Sequence, residues 1–204
     1  MNLVLLCTLW IGWCAMHSLL IDASVTGYIS RHAAGLTPYY RLLYNILSLI
    51  TFIPLVLITT RAGGPIVFVW QGYYQIIRIV LLIFAVLLFH GGAGTYDLGY
   101  FLGINQLQTG EQHLLLADTD EFSEMGVFGI TRHPWYLGSL LFLWSVLPRY
   151  RLPIFLAAGI MSLYLVVGSV LEERKIVAQF GESYLRYRQR VSMLFPWKWL
   201  MRLL

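Results

Sequence analysis

The sequence predicts an all-α integral membrane protein with about five transmembrane helices, the last two paired as a helical hairpin, and a C-terminal amphipathic cytoplasmic helix. Three observations carry that prediction. Of the 204 residues, 58% are hydrophobic and only 12% charged, about half the charge of an ordinary soluble domain. A water-soluble fold would have too few charges to cover its surface, and the mean hydropathy of +0.69 agrees. Charge-free runs of span length recur along the chain. Positive charge, finally, gathers near the C-terminus. Disordered, collagenous and disulfide-scaffold classes fall away, because the chain has two cysteines and no long polar tract.

The chain reads as one membrane domain, 1–204. Residues 1–96 hold three spans: Asn2–Ile21, Leu42–Thr60 and Ile79–Tyr96 contain no Asp, Glu, Lys or Arg. At about 1.5 Å rise per residue, roughly 20 apolar residues cross a ~30 Å hydrocarbon core. The first run follows no basic segment and is too long for a cleavable signal. Cys7 and Cys14 lie about 10 Å apart along one helix face, too far for a disulfide, and read as packing residues. His17 and His90, near span ends, read as hydrogen-bonded packing residues; no metal-ligand spacing appears.

His90-Gly-Gly-Ala-Gly94 is not a dinucleotide loop, since a span-length helix precedes it and no parallel sheet follows. Arg78 and Asp97 border the third span. Ionisable groups there serve a site or snorkel to the interface. Residues 97–132 form a cytoplasmic connection with an acidic run, Glu111, Asp118, Asp120, Glu121 and Glu124. So long a connection in a small protein suits a functional loop, while its acidic run by itself reads as a solvated face.

Residues 133–171 form the hairpin. Its second arm, Leu152–Leu171, is charge-free and span-length, whereas its first, Trp135–Leu147, has 13 residues before Pro148-Arg-Tyr-Arg-Leu-Pro153. That arm either starts deeper, near Val127, or stops short, which leaves four spans as the alternative. With five spans and the tail inside, ten Lys/Arg lie in the cytoplasm and four outside, as the positive-inside rule favours. In the tail, 172–204, Ile176, Phe180, Tyr184, Tyr187, Val191 and Leu194 recur at helical spacing opposite a basic face, with Gly181 as an interruption. Pro196-Trp-Lys-Trp199 reads as an interfacial anchor. The aromatics here serve membrane contact, so no nucleic-acid partner is expected.

Two clusters could carry chemistry. Pro134 starts a helix and biases His133 away from helical geometry, placing Arg132 and His133 at an entry with free N–H groups and a positive dipole end. That end suits a carboxylate or phosphate, with Tyr136 and Gly138 within a turn. Glu172 and Glu173 sit at a helix C-terminus, where the dipole disfavours them unless a cation is near. Together the clusters match a zwitterion bearing an extra positive charge, such as S-adenosylmethionine. An ion pair between Arg132 and Glu172 or Glu173, closing the hairpin, explains them equally well.

Arg132-His-Pro-Trp-Tyr-Leu-Gly138, Glu172-Glu-Arg174, Phe180-Gly-x-x-Tyr184-x-x-Tyr187 and Pro196 resemble, in order, the C-terminal signature of a membrane methyltransferase superfamily. It includes isoprenylcysteine carboxyl methyltransferases and phospholipid methyltransferases. His17-Ser-Leu-Leu, Arg41-Leu-Leu-Tyr44, Tyr96-Asp-x-Gly-x-Phe-Leu-Gly103 and Trp144 are more similar to its NnrU and methanethiol S-methyltransferase branch, while Phe128-Gly129 departs from the common pattern. The resemblance implies an S-adenosylmethionine pocket at the cytoplasmic face of a bacterial inner-membrane protein. Arg132, His133, Pro134, Tyr136, Gly138, Glu172 and Glu173 would be its cofactor residues, and Tyr184 and Tyr187 would close it.

The implied reaction methylates a small thiol or lipophilic acceptor (thiol, carboxylate or lipid amine) that enters from the bilayer. No side chain stands out as catalytic. A non-enzymatic NnrU-type protein and an NADPH-dependent reductase are the alternatives.

Overall fold

The computed structural model describes residues 2–94, 97–109 and 125–204. The acidic run from Glu111 to Glu124, and Tyr96 of the second motif, lie outside the described residues. The chain divides into two compact units: Met1–Val67 with Tyr96–Ala117 and Arg151–Met161, and Phe68–Thr95 with Asp118–Tyr150 and Ser162–Leu204.

In the first unit, α1 (Leu3–Leu20) starts where the Asn2 side chain accepts from the Val4 N–H, satisfying one of the orphan donors of a helix N-terminus. A short α2 (Ala23–His32) leads to α3 (Thr37–Arg61), which begins with Pro at its second position. Leu6, Trp10, Leu55 and Ala157 form the core, with Trp13, Phe52 and Met161 packed against it.

Polar groups cross-link α1 to α3 along this face. Trp10 Nε1 donates to Thr59 Oγ1 at 3.0 Å, Trp13 Nε1 to Thr51 Oγ1 at 3.1 Å, and Tyr40 Oη to the Leu20 carbonyl at 2.6 Å. His17 meets Ser48 Oγ at 3.1 Å and Tyr44 Oη at 2.6 Å, so it is bonded within the packing, as the sequence suggested. In hydrocarbon such links are worth about 0.6 kcal/mol each and fix the register of the two helices. Cys7 and Cys14 are free thiols.

Asp97 caps α5 (Leu98–Leu102) by accepting from the Tyr100 N–H at 3.0 Å. Gly103 then turns the chain into α6 (Ile104–Thr109) at φ +88°, where a Cβ would lie 2.5 Å from the Leu42 backbone nitrogen. Only glycine fits there. Arg41 and Asn45 donate to the Phe101 carbonyl at the end of α5.

In the second unit, α4 (Tyr74–Ala93) packs on α7 (Pro134–Ser145). Close approach of α7 and of the turn ahead of it explains Gly91 and Gly92. A Cβ on Gly92 would lie 2.4 Å from Trp135 Nε1, and one on Gly91 2.4 Å from Val127 Cγ1. Trp135 Nε1 donates to the Phe89 carbonyl at 3.2 Å. Gly92→Ala gains up to about 1 kcal/mol of helix propensity, but overpacking costs about 1–3 kcal/mol and displaces the Trp135 hydrogen bond. The expected outcome is a lower unfolding temperature; an unchanged one would show that Trp135 swings aside at no cost.

Two short strands, β1 (Ile66–Val69) and β2 (Arg149–Arg151), pair as a two-stranded sheet. They follow α3 and α7, and side chains near them satisfy the last carbonyls of α7. Tyr150 Oη donates to Leu143, Trp70 Nε1 to Trp144 and Arg78 Nη1 to Ser145, at 2.8, 3.0 and 3.2 Å. Arg78 thus places its charge at a helix C-terminus, where the dipole favours a cation.

Among the described residues, four helices are long and apolar enough to cross a membrane: α1, α3, α4 and α8 (Leu152–Phe180). Helix α7 has 12 residues, about 18 Å, and is short of a ~30 Å core. It starts at Pro134 and not near Val127, because Gly126–Gly129 forms a 3-10 turn. Helix α8 runs past Leu171 to Phe180, so the first part of the tail's apolar face belongs to it. Gly181, at φ +53°, separates it from α9 (Glu182–Arg190), and α10 (Trp197–Leu203) follows.

Candidate functional site

All nine residues singled out from the sequence lie in the second unit. His133 is the N-cap of α7, at φ −122° and ψ 68°, and Pro134 is the first helical residue. Proline costs nothing there, since its missing N–H would have had no intrahelical partner. This entry turns the Arg132 and His133 side chains toward Glu172 and Glu173. These do not sit at a helix C-terminus as expected from the sequence: α8 continues to Phe180, so both carboxylates lie within it, beyond the last-turn reach of the dipole.

Glu173 is the hub. Its Oε1 receives Arg132 Nε at 2.7 Å, Tyr184 Oη at 2.7 Å and faces His133 Nε2 at 3.2 Å; its Oε2 receives Arg132 Nη2 at 2.9 Å. The Arg132 and Glu173 side chains are 5% and 7% exposed, so this is a buried, bidentate ion pair. Such fork geometry is the strong form of the contact, and burial makes it costly to break on one side. Arg132 Nη1 donates further to the Arg188 and Val191 carbonyls at 2.9 and 2.7 Å. Those carbonyls end α9 and lack intrahelical partners, so Arg132 ties together the start of α7, the Glu173 turn of α8 and the end of α9.

The backbone reinforces the knot. The Arg132 N–H donates to the Ser192 carbonyl at 2.9 Å, Thr131 Oγ1 donates to the Met193 carbonyl at 2.7 Å, and Thr131 pairs with Ser192 in a parallel bridge. Tyr187 Oη donates to the Phe128 carbonyl at 2.7 Å, holding the turn ahead of the Arg-His-Pro entry.

A more open side adjoins this rigid knot. Glu172 Oε2 lies 3.8 Å from His133 Nδ1, and the Glu172 side chain is 33% exposed. Arg188, 52% exposed, has Nε 3.6 Å from Glu173 Oε2. Tyr136 meets the His133 ring edge-on at 5.5 Å and lies against Gly168 of α8, where a Cβ would come within 3.3 Å of its ring. A carboxylate, a guanidinium, an imidazole and a phenol therefore converge beside one helix entry.

The nine residues divide by position. Arg132, His133, Glu172, Glu173 and Tyr184 form the charged network, and Tyr136 flanks it. Pro134 and Tyr187 are buried supports. Gly138 faces α4 instead, with the Ala85 carbonyl and Phe89 within 3.4 Å of where a Cβ would stand, so it permits helix approach. Of the two readings the sequence left for the charges, the structure contains the ion pair, between Arg132 and Glu173. Sequence reasoning missed Arg188, which it counted only as part of the tail's basic face, and the Thr131–Ser192 strap, which has no sequence signal because its bonds are to backbone.

Burial, then the hydrogen bond to Glu173 and its charge, push the Tyr184 phenol well above its ordinary range, with Arg132 pulling the other way. The folded state thus holds the proton more tightly than the unfolded chain does. The resulting stability is present below the unfolded pKa of about 10 and is lost as pH rises above it. Denaturation midpoints measured from pH 8 to 11 should fall at the alkaline end, and Tyr184→Phe should remove part of that dependence.

No protein-family model and no solved structure matches the chain. Curated proteins do. Methanethiol S-methyltransferase 1 of Bradyrhizobium diazoefficiens is 38% identical over 82 residues, 40% of this chain and 28% of that protein. Methanethiol S-methyltransferase of Pseudomonas deceptionensis is 36% identical over 70 residues, 34% of this chain and 26% of that protein. The enzyme of that name from Mycobacterium tuberculosis is 36% identical over 66 residues, 32% of this chain and 27% of that protein. The matches span under a third of these relatives' own length. Over that part, the chain is similar to methanethiol S-methyltransferases, in agreement with the branch that its motifs resemble.

Proposed function

We propose that the chain is an integral membrane S-adenosylmethionine-dependent methyltransferase acting on a small thiol or another lipophilic acceptor, with its tail on the cytoplasmic face of a bacterial inner membrane. One observation carries the reading: at the edge of the Arg132–Glu173–Tyr184 knot, the partly exposed carboxylate of Glu172 stands beside His133 and the exposed guanidinium of Arg188 beside Glu173. That donor set fits an amino acid zwitterion with an added cation. The names of the similar proteins support the same chemistry.

In this reading Glu172 takes the ammonium and Arg188 the carboxylate of the cofactor, while Tyr136, packed edge-on against the buried His133 ring, offers an aromatic face suited to a cationic centre. The knot fixes His133 and the Glu172–Glu173 turn of α8, so alignment is set before the ligand arrives. Arg132 and Glu173 serve the pocket by holding it, since the Arg132 guanidinium already makes four hydrogen bonds within the protein. Tyr184 and Tyr187 close it from α9, and Pro134 and Gly138 keep α7 in place.

When bound, S-adenosylmethionine supplies an electrophilic methyl carbon that is transferred by in-line displacement. The protein's part is proximity, alignment and exclusion of water. A thiolate acceptor needs no strong general base.

The test is to incubate the purified protein with methyl-labelled S-adenosylmethionine and, separately, methanethiol, a prenylcysteine and phosphatidylethanolamine. Label transfer to any of them supports the reading and identifies the acceptor class. Failure with all three, in protein that does not bind S-adenosylhomocysteine either, contradicts it.

A further inference from the structure

We propose that α10 and Phe195 form a docking surface for a layer of anionic lipid headgroups, and that this contact braces the Arg132 knot. Lys198 and Arg202, four residues apart, share one side of α10 and reach back to the end of α9. Lys198 Nζ donates to the Arg188 and Gln189 carbonyls at 2.9 and 2.7 Å, and Arg202 Nη2 to the Arg190 carbonyl at 2.6 Å. These are the orphan carbonyls of a helix C-terminus. The Arg188 carbonyl is shared, since Arg132 Nη1 donates to it at the same 2.9 Å. Whatever holds α10 therefore also holds an acceptor of Arg132.

Among the described residues, the apolar side chains of α10 are left largely uncovered. Phe195 and Met201 are 68% and 65% exposed, and Trp197, Leu200 and Leu203 are exposed beside them. Residues 182–203 carry Arg186, Arg188, Arg190, Lys198 and Arg202 against one acid, Glu182. An apolar patch with tryptophan, rimmed by cations, fits the boundary between headgroups and acyl chains, and anionic lipid supplies the complementary charge. A second copy of the same surface fits poorly, because a two-fold contact would set one cationic rim against another.

The inference does not need the methyltransferase reading, and its test uses no cofactor. Hydrogen–deuterium exchange is measured on the full-length protein in nanodiscs of phosphatidylcholine alone and of an equal mixture with phosphatidylglycerol. Anionic lipid should slow amide exchange over 192–203 by about tenfold, as local opening becomes rarer. Molar salt should reverse much of this, because the screening length falls from about 10 Å at 0.1 M to about 3 Å at 1 M. Trp197→Ser combined with Met201→Ser should abolish the lipid-dependent slowing. Equal exchange in both lipids would overturn the proposal, as would protection that follows protein concentration and ignores lipid charge, the mark of a second copy. S-adenosylhomocysteine binding, measured separately, decides the fate of the methyltransferase reading without touching this one.

Discussion

Glu173→Gln is expected to destabilise the protein by about 3–5 kcal/mol, because it leaves the Arg132 guanidinium buried without its counter-charge. The substitution keeps the shape of the side chain, so the loss measures charge. Arg132→Met should cost a similar amount by stranding Glu173 beside His133 and Tyr184. The double variant Arg132→Met, Glu173→Leu separates structure from function. Apolar replacement of a complete buried pair is often neutral or stabilising, so the pair should recover much of the stability that either single change loses. A thermal-unfolding double-mutant cycle measures the coupling. Single variants as stable as the wild type would mean that the ion pair does not organise this end of the protein.

Glu172→Gln is expected to do the reverse. Its carboxylate is a third exposed and 3.8 Å from His133, so stability should change little. In the proposed pocket it meets an ammonium, and hydrogen bonds to charged groups are worth about 1.5–3 kcal/mol. Removing the charge should therefore weaken S-adenosylhomocysteine binding by roughly 10- to 100-fold. Titration calorimetry on folded protein reads this directly. Wild-type affinity would take Glu172 out of the site, and a large stability loss would make it another strut.

The helical membrane architecture was legible because burial in lipid leaves a mark that needs no partner: a long run without charge. The Arg-His-Pro entry was legible for a related reason, since proline fixes a helix start locally. The pairing of Arg132 with Glu173 across 41 residues was visible only as one of two readings, because charge types do not say which groups meet. Arg188 looked like part of the tail's basic face, and its nearness to Glu173 depends on the turn at Gly181. The glycines at 91 and 92 carried no signal of their own; Trp135 and Val127, distant in sequence, give them meaning. The strands 66–69 and 149–151 are too short to show periodicity, and each exists through the other.

The central claim, a preformed site for S-adenosylmethionine beside the Arg132–Glu173 knot, is tested most directly by thermal unfolding of the purified protein with S-adenosylhomocysteine and, separately, with NADPH. A ligand at 100 times its dissociation constant adds about 2.7 kcal/mol to stability. The prediction is a clear rise in unfolding temperature with S-adenosylhomocysteine and none with NADPH. Stabilisation by NADPH alone, or by neither, would contradict it.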